Sequence, residues 1–425
     1  MQILQKIKSN SDYKRLFENF ISLSILQGLN YILPLVTFPY LVRVLGVEKF
    51  GLLSFTTATI AYFQILTDYG FNLSATREVA INRDNKEKLN EIFSSVMIIK
   101  FGLLIISFLL LSVLVFSFEK FRQDWLVYYL SFGMVVGQVL FPVWFFQGME
   151  KMKYITFLNV LAKVLFTIAI FIFVKQQSDY WKVPLLNSMG FISAGVLSLL
   201  IVYKNWNIGF KFVGFESILR ELKEGWHIFI GTMCINFYKN NSIIILGLFT
   251  NETTVGYFYI AKKIIDILNQ IAGLISQSIY PHVSILINRD ISRSVKFLKK
   301  LGIFIAIYTF ILGLLLLVFS PLVIHIVSGH YYEESIISLK LMAFVPMFIG
   351  INVPAVQILL SKGLGKQFSS VVLVGAILDI LLNFSLVPYF SYIGSCLSVL
   401  IVELFVTVYF YVKIFNLKLQ YGRLL

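Results

Sequence analysis

Long apolar runs, broken by short polar turns, set the pattern of this chain. A run such as FGLLIISFLLLSVLVFSF (101–118) shows no period-2 alternation, which excludes the strands of an outer-membrane barrel. A bilayer core takes about 20 apolar residues per helix. On that rule spans are predicted near 17–42, 50–70, 92–118, 125–148, 154–175, 181–203, 225–248, 254–280, 301–326, 334–359, 369–389 and 392–415. The pattern therefore predicts an all-α, polytopic membrane protein of about twelve transmembrane helices. The halves 1–203 and 204–425 would each form a six-helix bundle.

The polar turns supply the orientation. Every second one, beginning with the N-terminus (Lys6, Lys8, Lys14, Arg15) and ending with the tail (Lys413, Lys418, Arg423), is rich in Lys and Arg. That set carries 24 of the 36 basic residues, the intervening loops carry six, and six lie within spans. Basic loops stay in the cytoplasm, so both termini are expected there. The opening segment MQILQKIKSNSDYKRLFENF is basic and polar for too long to be a cleaved signal peptide. The loops are too short for a separate soluble domain.

Composition changes little in this picture and sharpens it. Hydrophobic residues make up 58% and charged residues 14%, with mean hydropathy +0.82. A soluble fold of this length could not hide so much apolar surface. The net charge of +14 is accounted for by the basic loops, so nucleic acid is not an expected partner. Cys234 and Cys396 each sit in an apolar run, and no disulfide framework is predicted. The four His form no metal motif, Leu360 and Gln367 spoil a phosphate loop around Gly365-Lys366, and no GxSxG or paired loop carboxylates occur. No enzyme, metal or cofactor site is predicted. Weak internal similarity links Leu45-Gly46…Phe50-Gly51 with Leu246-Gly247…Val255-Gly256, as in carriers built from repeats.

The candidate chemistry lies inside the spans, where ionisable groups are costly and face a partner or a cavity. The set is Lys100, Lys163, Lys239, Lys262, Lys263 and Lys340 against Asp68, Asp266, Asp379 and Glu403. Helical spacing adds Thr156, Asn159 and Thr167 beside Lys163, Asn236 and Asn240 beside Lys239, and Asn383 beside Asp379. Gln27, Asn30 and Pro34 share a face, and Pro39 is a second kink. Packing between helices would explain single members of this set, and Asp266 could neutralise Lys262 and Lys263. The excess of Lys over acids instead predicts a wet, positive cavity suited to an anionic ligand such as a phosphate ester.

The motifs ILPLVTFPYLVRVLGVEKFGLLSF (32–55), TDYGFNLSATREVA (67–80), FPVWFFQGMEKMKYI (141–155), LGLFTNETTVGYFYIAKKI (246–264) and SIYPHVS (278–284) resemble a known family. They are similar to the Wzx-type O-antigen flippases, the polysaccharide exporter branch of the multidrug/oligosaccharidyl-lipid/polysaccharide superfamily. The resemblance implies two six-helix bundles around a central, typically cationic cavity. It implies flipping of undecaprenyl-pyrophosphate-linked repeat units from the cytoplasmic to the outer leaflet of a bacterial inner membrane. Other polysaccharide assembly proteins are then expected as partners. Pro34, Pro39, Arg43, Gly46 and Gly51 match the first hairpin, Asp68, Gly70, Asn72, Arg77 and Glu78 the second, and Gly148 and Lys151 the inner turn.

Substrate contacts are accordingly expected from Arg43, Arg77, Lys100, Lys163, Lys239, Lys262 and Lys263. Ion coupling is expected at Asp266, Asp379 and Glu403, and gating at Pro34, Pro39, Asp68 and Gly70. Many relatives carry an Asp in the seventh span where this chain has Asn240-Asn241. Two other readings compete: a multidrug cation antiporter on the same fold, which predicts a net acidic cavity, and a membrane glycosyltransferase or polymerase, which needs substantial charged outer loops that are missing here.

Overall fold

In the computed structural model the backbone is described for residues 11–421 and the side chains for 27–416, apart from 30, 31, 271, 281 and 288. Asn30, the basic residues Lys6, Lys8, Lys14 and Arg15, and Lys418 and Arg423 of the tail lie outside the described side chains. The described chain is helical from end to end, with no strand. Its helices are α1 (Ser11–Asp68), α2 (Ser74–Ile81), α3 (Lys86–Ser117), α4 (Glu119–Gln123), α5 (Trp125–Leu140), α6 (Val143–Gly148) and α7 (Met152–Phe173), then α8 (Lys182–Trp206), α9 (Phe215–Phe249), α10 (Glu252–Arg289), α11 (Ile291–Ser328), α12 (Glu333–Met342), α13 (Val345–Ser361) and α14 (Gly365–Tyr421).

Eight stretches are long and apolar enough to cross a membrane. Two of them, Gln27–Asp68 and Gly365–Asn416, are about twice the length one span needs. Each is broken inside by a residue with positive φ: Gly46 (φ 73) in α1 and Ser391 (φ 53) in α14. Counted as pairs, and joined by the less apolar helices α9 and α10, they give the twelve segments of a multi-pass membrane protein. Conversely, two expected spans are each built from two pieces. The span near 125–148 breaks at Phe141-Pro142, because proline lacks the donor N–H and holds its predecessor extended (Phe141 φ −97, ψ 98). The span near 334–359 breaks at Ala343-Phe344, between α12 and α13.

The chain divides into two compact units. One comprises residues 1–45 and 56–233; the other comprises 46–55 and 234–425. The first unit centres on Phe93, Trp144, Phe145 and Phe146, with Ala75, Val79, Val96 and Leu158 packed among them. Its α5 and α8 approach closely because both carry small residues: a Cβ on Gly133 would stand 2.6 Å from that of Ser188, and one on Gly195 2.7 Å from the Gly137 carbonyl oxygen. Such stripes substitute for hydrophobic drive between helices in lipid. In the second unit Ala355, Leu359, Val371, Val402, Val406 and Phe410 form one core cluster and Ala272, Ile305 and Val353 another. The hairpin segment 46–55 packs within this unit against the start of α10, where Gly51 and Gly256 abut.

Candidate functional site

In the first unit the ionisable cluster forms around a proline break. Pro142 cannot donate to Gln138 four residues earlier, and that carbonyl accepts the Phe141 N–H at 3.3 Å instead. Lys100 of α3, only 1% exposed, donates to it at 3.5 Å. The Gln138 amide in turn donates to the Gln64 carbonyl of α1 at 3.3 Å. Asp68 closes α1 nearby and is the charge that acts on Lys100 through space. Its carboxylate accepts from the Asn72 amide at 2.8 Å. Between them the chain turns through Tyr69 (φ 48) and Gly70 (φ 81). A Cβ on Gly70 would meet Ile228 at 2.8 Å, so glycine is required there by both conformation and space.

Lys163 of α7 stands apart from this pair. With Asn159, Asn187, Phe141, Phe166 and Phe191 it lines a hollow of about 20 Å³ between α7 and α8, room for roughly one water. The Asn159 amide donates to the Ile155 carbonyl and the Asn187 amide to Met134 Sδ, both at 2.9 Å. Asn159, Lys163 and Asn187 are the polar residues of its lining.

The second unit holds a larger buried network on α9, α10 and α14. Asp379 is 2% exposed. Its carboxylate accepts from Asn241 at 3.2 Å, Ser242 at 3.4 Å and Asn383 at 2.9 Å. Asn383 Oδ1 accepts from Ser395 at 3.2 Å. Lys262 bridges both oxygens of Asp266 at 3.2 Å, one turn along α10, and its charge also reaches Asp379 and Glu403. Glu403, 7% exposed, accepts a short hydrogen bond from the Tyr238 hydroxyl. Buried charges survive only with such partners, and every carboxylate in the group has one.

The structure thus brings together Asp68 with Lys100, and Lys262 with Asp266, Asp379 and Glu403. It does not bring the remaining expected cations into these clusters. Arg43, Arg77 and Lys239 are exposed and Lys263 is half-buried, on α1, α2, α9 and α10 respectively. Pro34 and Pro39 lie inside α1. Sequence reasoning missed Tyr238, Asn241, Ser242 and Gln138. Asn241 had a signal, since it belongs to the Asn240-Asn241 pair that the resemblance singled out. Tyr238 and Ser242 had none, because their partners are more than 130 residues away.

Comparison with known proteins follows the same outline. The family model described as polysaccharide biosynthesis protein matches residues 16–287. A relative in Escherichia coli K12, named "Putative O-antigen transporter", is 33% identical over 400 residues, 94% of this chain and 96% of that one. A protein of the same name in Shigella dysenteriae is 28% identical over 92% of this chain and 98% of its own. Among solved structures, lipid II flippase MurJ in its inward closed conformation superposes with a TM-score of 0.73 at 15% identity, over 92% of this chain and 87% of that one. An inward-facing multidrug resistance transporter of the MATE family gives 0.69 at 13%, over 94% and 99%. At those identities the structures share a fold, that of polytopic all-α transporters. By the match across 16–287 and the identity along nearly its whole length, this chain belongs to the polysaccharide biosynthesis protein family.

Proposed function

We propose that this protein is a carrier that flips lipid-linked oligosaccharide repeat units across a bacterial inner membrane, from the cytoplasmic to the outer leaflet, by alternating access. The observation that carries the reading is the 33% identity over 94% of the chain to a relative named for O-antigen transport. The cargo is an undecaprenyl-pyrophosphate-linked glycan. Its pyrophosphate meets a positive lining to which Lys163 and Lys239 contribute, with Arg43, Arg77, Lys100, Lys262 and Lys263. Ammonium groups at membrane depth are expensive, and an anionic cargo supplies a reason to keep them. Both termini face the cytoplasm, as the 24-to-6 distribution of basic residues supports. Asp266, Asp379 and Glu403 serve as the coupling site for a proton or cation, and Pro34, Pro39, Asp68 and Gly70 as hinge and gate.

The test is Lys163→Gln with Lys239→Gln in a strain that depends on this gene. Surface polysaccharide should fall sharply while the protein remains at normal abundance, and undecaprenyl-linked repeat units should accumulate on the cytoplasmic leaflet. Unchanged glycan output would remove the positive lining from the mechanism. The acid-rich network around Asp379 favours one competing reading, a multidrug cation antiporter on the same fold. That reading predicts drug hypersensitivity, not glycan loss, on deletion.

A further inference from the structure

The second unit carries a lateral cleft that the transport reading does not use. Its volume is about 500 Å³. One wall is a single face of α11: Val295, Leu298, Lys299, Gly302, Ile303 and Ala306 recur at three- and four-residue spacing. Ile351, Pro354, Ala355 and Ile358 of α13 and Tyr411 and Ile414 of α14 complete it. The floor is tight, because Gly302 lies so close to Pro354 that a Cβ would stand 2.8 Å from the proline ring. Tyr411 hides its polarity by donating to the Ile351 carbonyl at 2.8 Å. A second hollow of about 640 Å³ along α14 shares Tyr411 and Ile414, so the apolar surface continues along that helix.

One end of this cleft is cationic. Lys299 lines it directly, its stem along the apolar wall and its ammonium free to reach the surface. Lys362 caps α13 one turn beyond Ile358, its backbone N–H donating to the Ile358 carbonyl at 3.2 Å. Arg293, Lys296 and Lys300 are exposed on the same first turns of α11. Residues 291–306, 351–368 and 405–416 contain no acid, and Asp290 is engaged in capping α11 through the Arg293 N–H at 2.9 Å. Cations at a helix N-terminus oppose the helix dipole, so this end of the cleft attracts an anion. Loop retention would explain basic residues on any face of α11. It does not explain Lys299 on the cleft wall beside an apolar trough that contains no charge deeper in.

We propose that this cleft is a binding site for an anionic phospholipid of the surrounding bilayer, one acyl chain lying along Ile303, Ala306 and Ile351 and the phosphate held between Lys299 and Lys362. The chemistry is that of lipid recognition at membrane surfaces, where basic residues hold anionic headgroups. Phospholipid suits the site better than a polyprenyl carrier, because about 500 Å³ accommodates an acyl chain and not a long polyprenyl tail.

The test uses the purified full-length protein in detergent, titrated with phosphatidylglycerol or phosphatidylcholine of identical chains and followed by native mass spectrometry. Phosphatidylglycerol should bind about tenfold or more tightly. Lys299→Gln with Lys362→Gln should erase that preference, while Lys300→Gln should keep it. Ala306→Phe should reduce retention of both lipids, and the milder Ala306→Leu should do so in part if the larger residue disturbs folding. Equal binding of the two lipids by the unmodified protein, or a preference that survives in the double variant, would overturn the site. Displacement of phosphatidylglycerol by equimolar undecaprenyl phosphate would reassign it to the carrier lipid and also overturn the proposal. No transport step enters these readouts, so they stand or fall apart from the flippase reading.

Discussion

Gly51 and Gly256 abut so closely that a Cβ on Gly51 would stand 2.7 Å from the Gly256 amide nitrogen and nearer still to the Glu252 carbonyl. A Cβ on Gly256 would in turn press on the Val47 carbonyl, and one on Gly247 on the Phe55 ring. The two Leu-Gly turns that look alike in sequence therefore pack against each other within one compact unit. Backbone offers no soft side chain that could move aside, so Gly51→Ala or Gly256→Ala should each cost about 1–3 kcal/mol. Gly102→Ala, with nothing within 4 Å, should be neutral or slightly stabilising in its helix. Thermal unfolding of the three variants in detergent would check this.

Asp379 has three side-chain donors, and their loss should be graded. Asn241→Ala removes one partner and leaves a buried carboxylate less well satisfied, at a cost of about 1–3 kcal/mol. Asp379→Asn preserves shape and removes the charge. If Asp379 couples an ion, this variant should stay folded and abundant while glycan output collapses. Parallel measurement of abundance and surface polysaccharide separates the two effects, and normal output in Asp379→Asn would remove it from coupling.

Tyr238 and Glu403 join α9 to α14 inside the second unit. Tyr238→Phe deletes only the hydroxyl, so the change reads the hydrogen bond with little loss of packing. A destabilisation of about 1–3 kcal/mol is expected, since the acceptor is ionisable and buried. Combining Tyr238→Phe with Glu403→Gln in a double-mutant cycle should give a coupling energy clearly above zero. Additive effects would mean that the bond contributes nothing.

Stability should depend on pH through Glu221, which precedes the span of α9. It is 1% exposed, its Oε2 has no hydrogen-bond partner, and Arg220 stands 3.9 Å away while spending its stronger contact on Glu91 at 2.9 Å. Burial first, then the charge of Glu224, pushes its carboxyl from 4.5 up to about 7. The folded protein thus holds this proton more tightly than the unfolded chain does. The contribution is favourable at low pH, falls as pH rises from about 4.5 to about 7, and stays lost above that. Glu221→Gln should therefore stabilise by roughly 1–3 kcal/mol near pH 8 and by almost nothing near pH 4. Unfolding curves at the two pH values would show it; an equal effect at both would exclude Glu221 as the cause.

Legibility from sequence followed the range of the interactions. Spans and the Lys262–Asp266 and Asp379–Asn383 neighbours were readable, because apolar runs and i,i+4 spacing act over a few residues. The split of the expected span near 125–148 at Phe141-Pro142 was not drawn, although its proline was visible. That Lys100 reaches the Gln138 carbonyl at this break depends on α3 and α5 lying side by side.

By itself the sequence determined the solvent and the architecture. Some 58% hydrophobic residues in long runs can be satisfied only by lipid, and a bilayer forces each run into a helix. It also marked which polar groups would have to be buried, because membrane depth follows from position along a span. Tertiary structure alone decided how those groups are partnered. Lys100 donates to a carbonyl at the helix end before Pro142, on another helix, Asp379 is held by Asn241 and Ser242 from another helix, and segment 46–55 leaves its sequence neighbours to pack with α10. A one-dimensional pattern specifies what must be satisfied, and only the packing of helices determines by what.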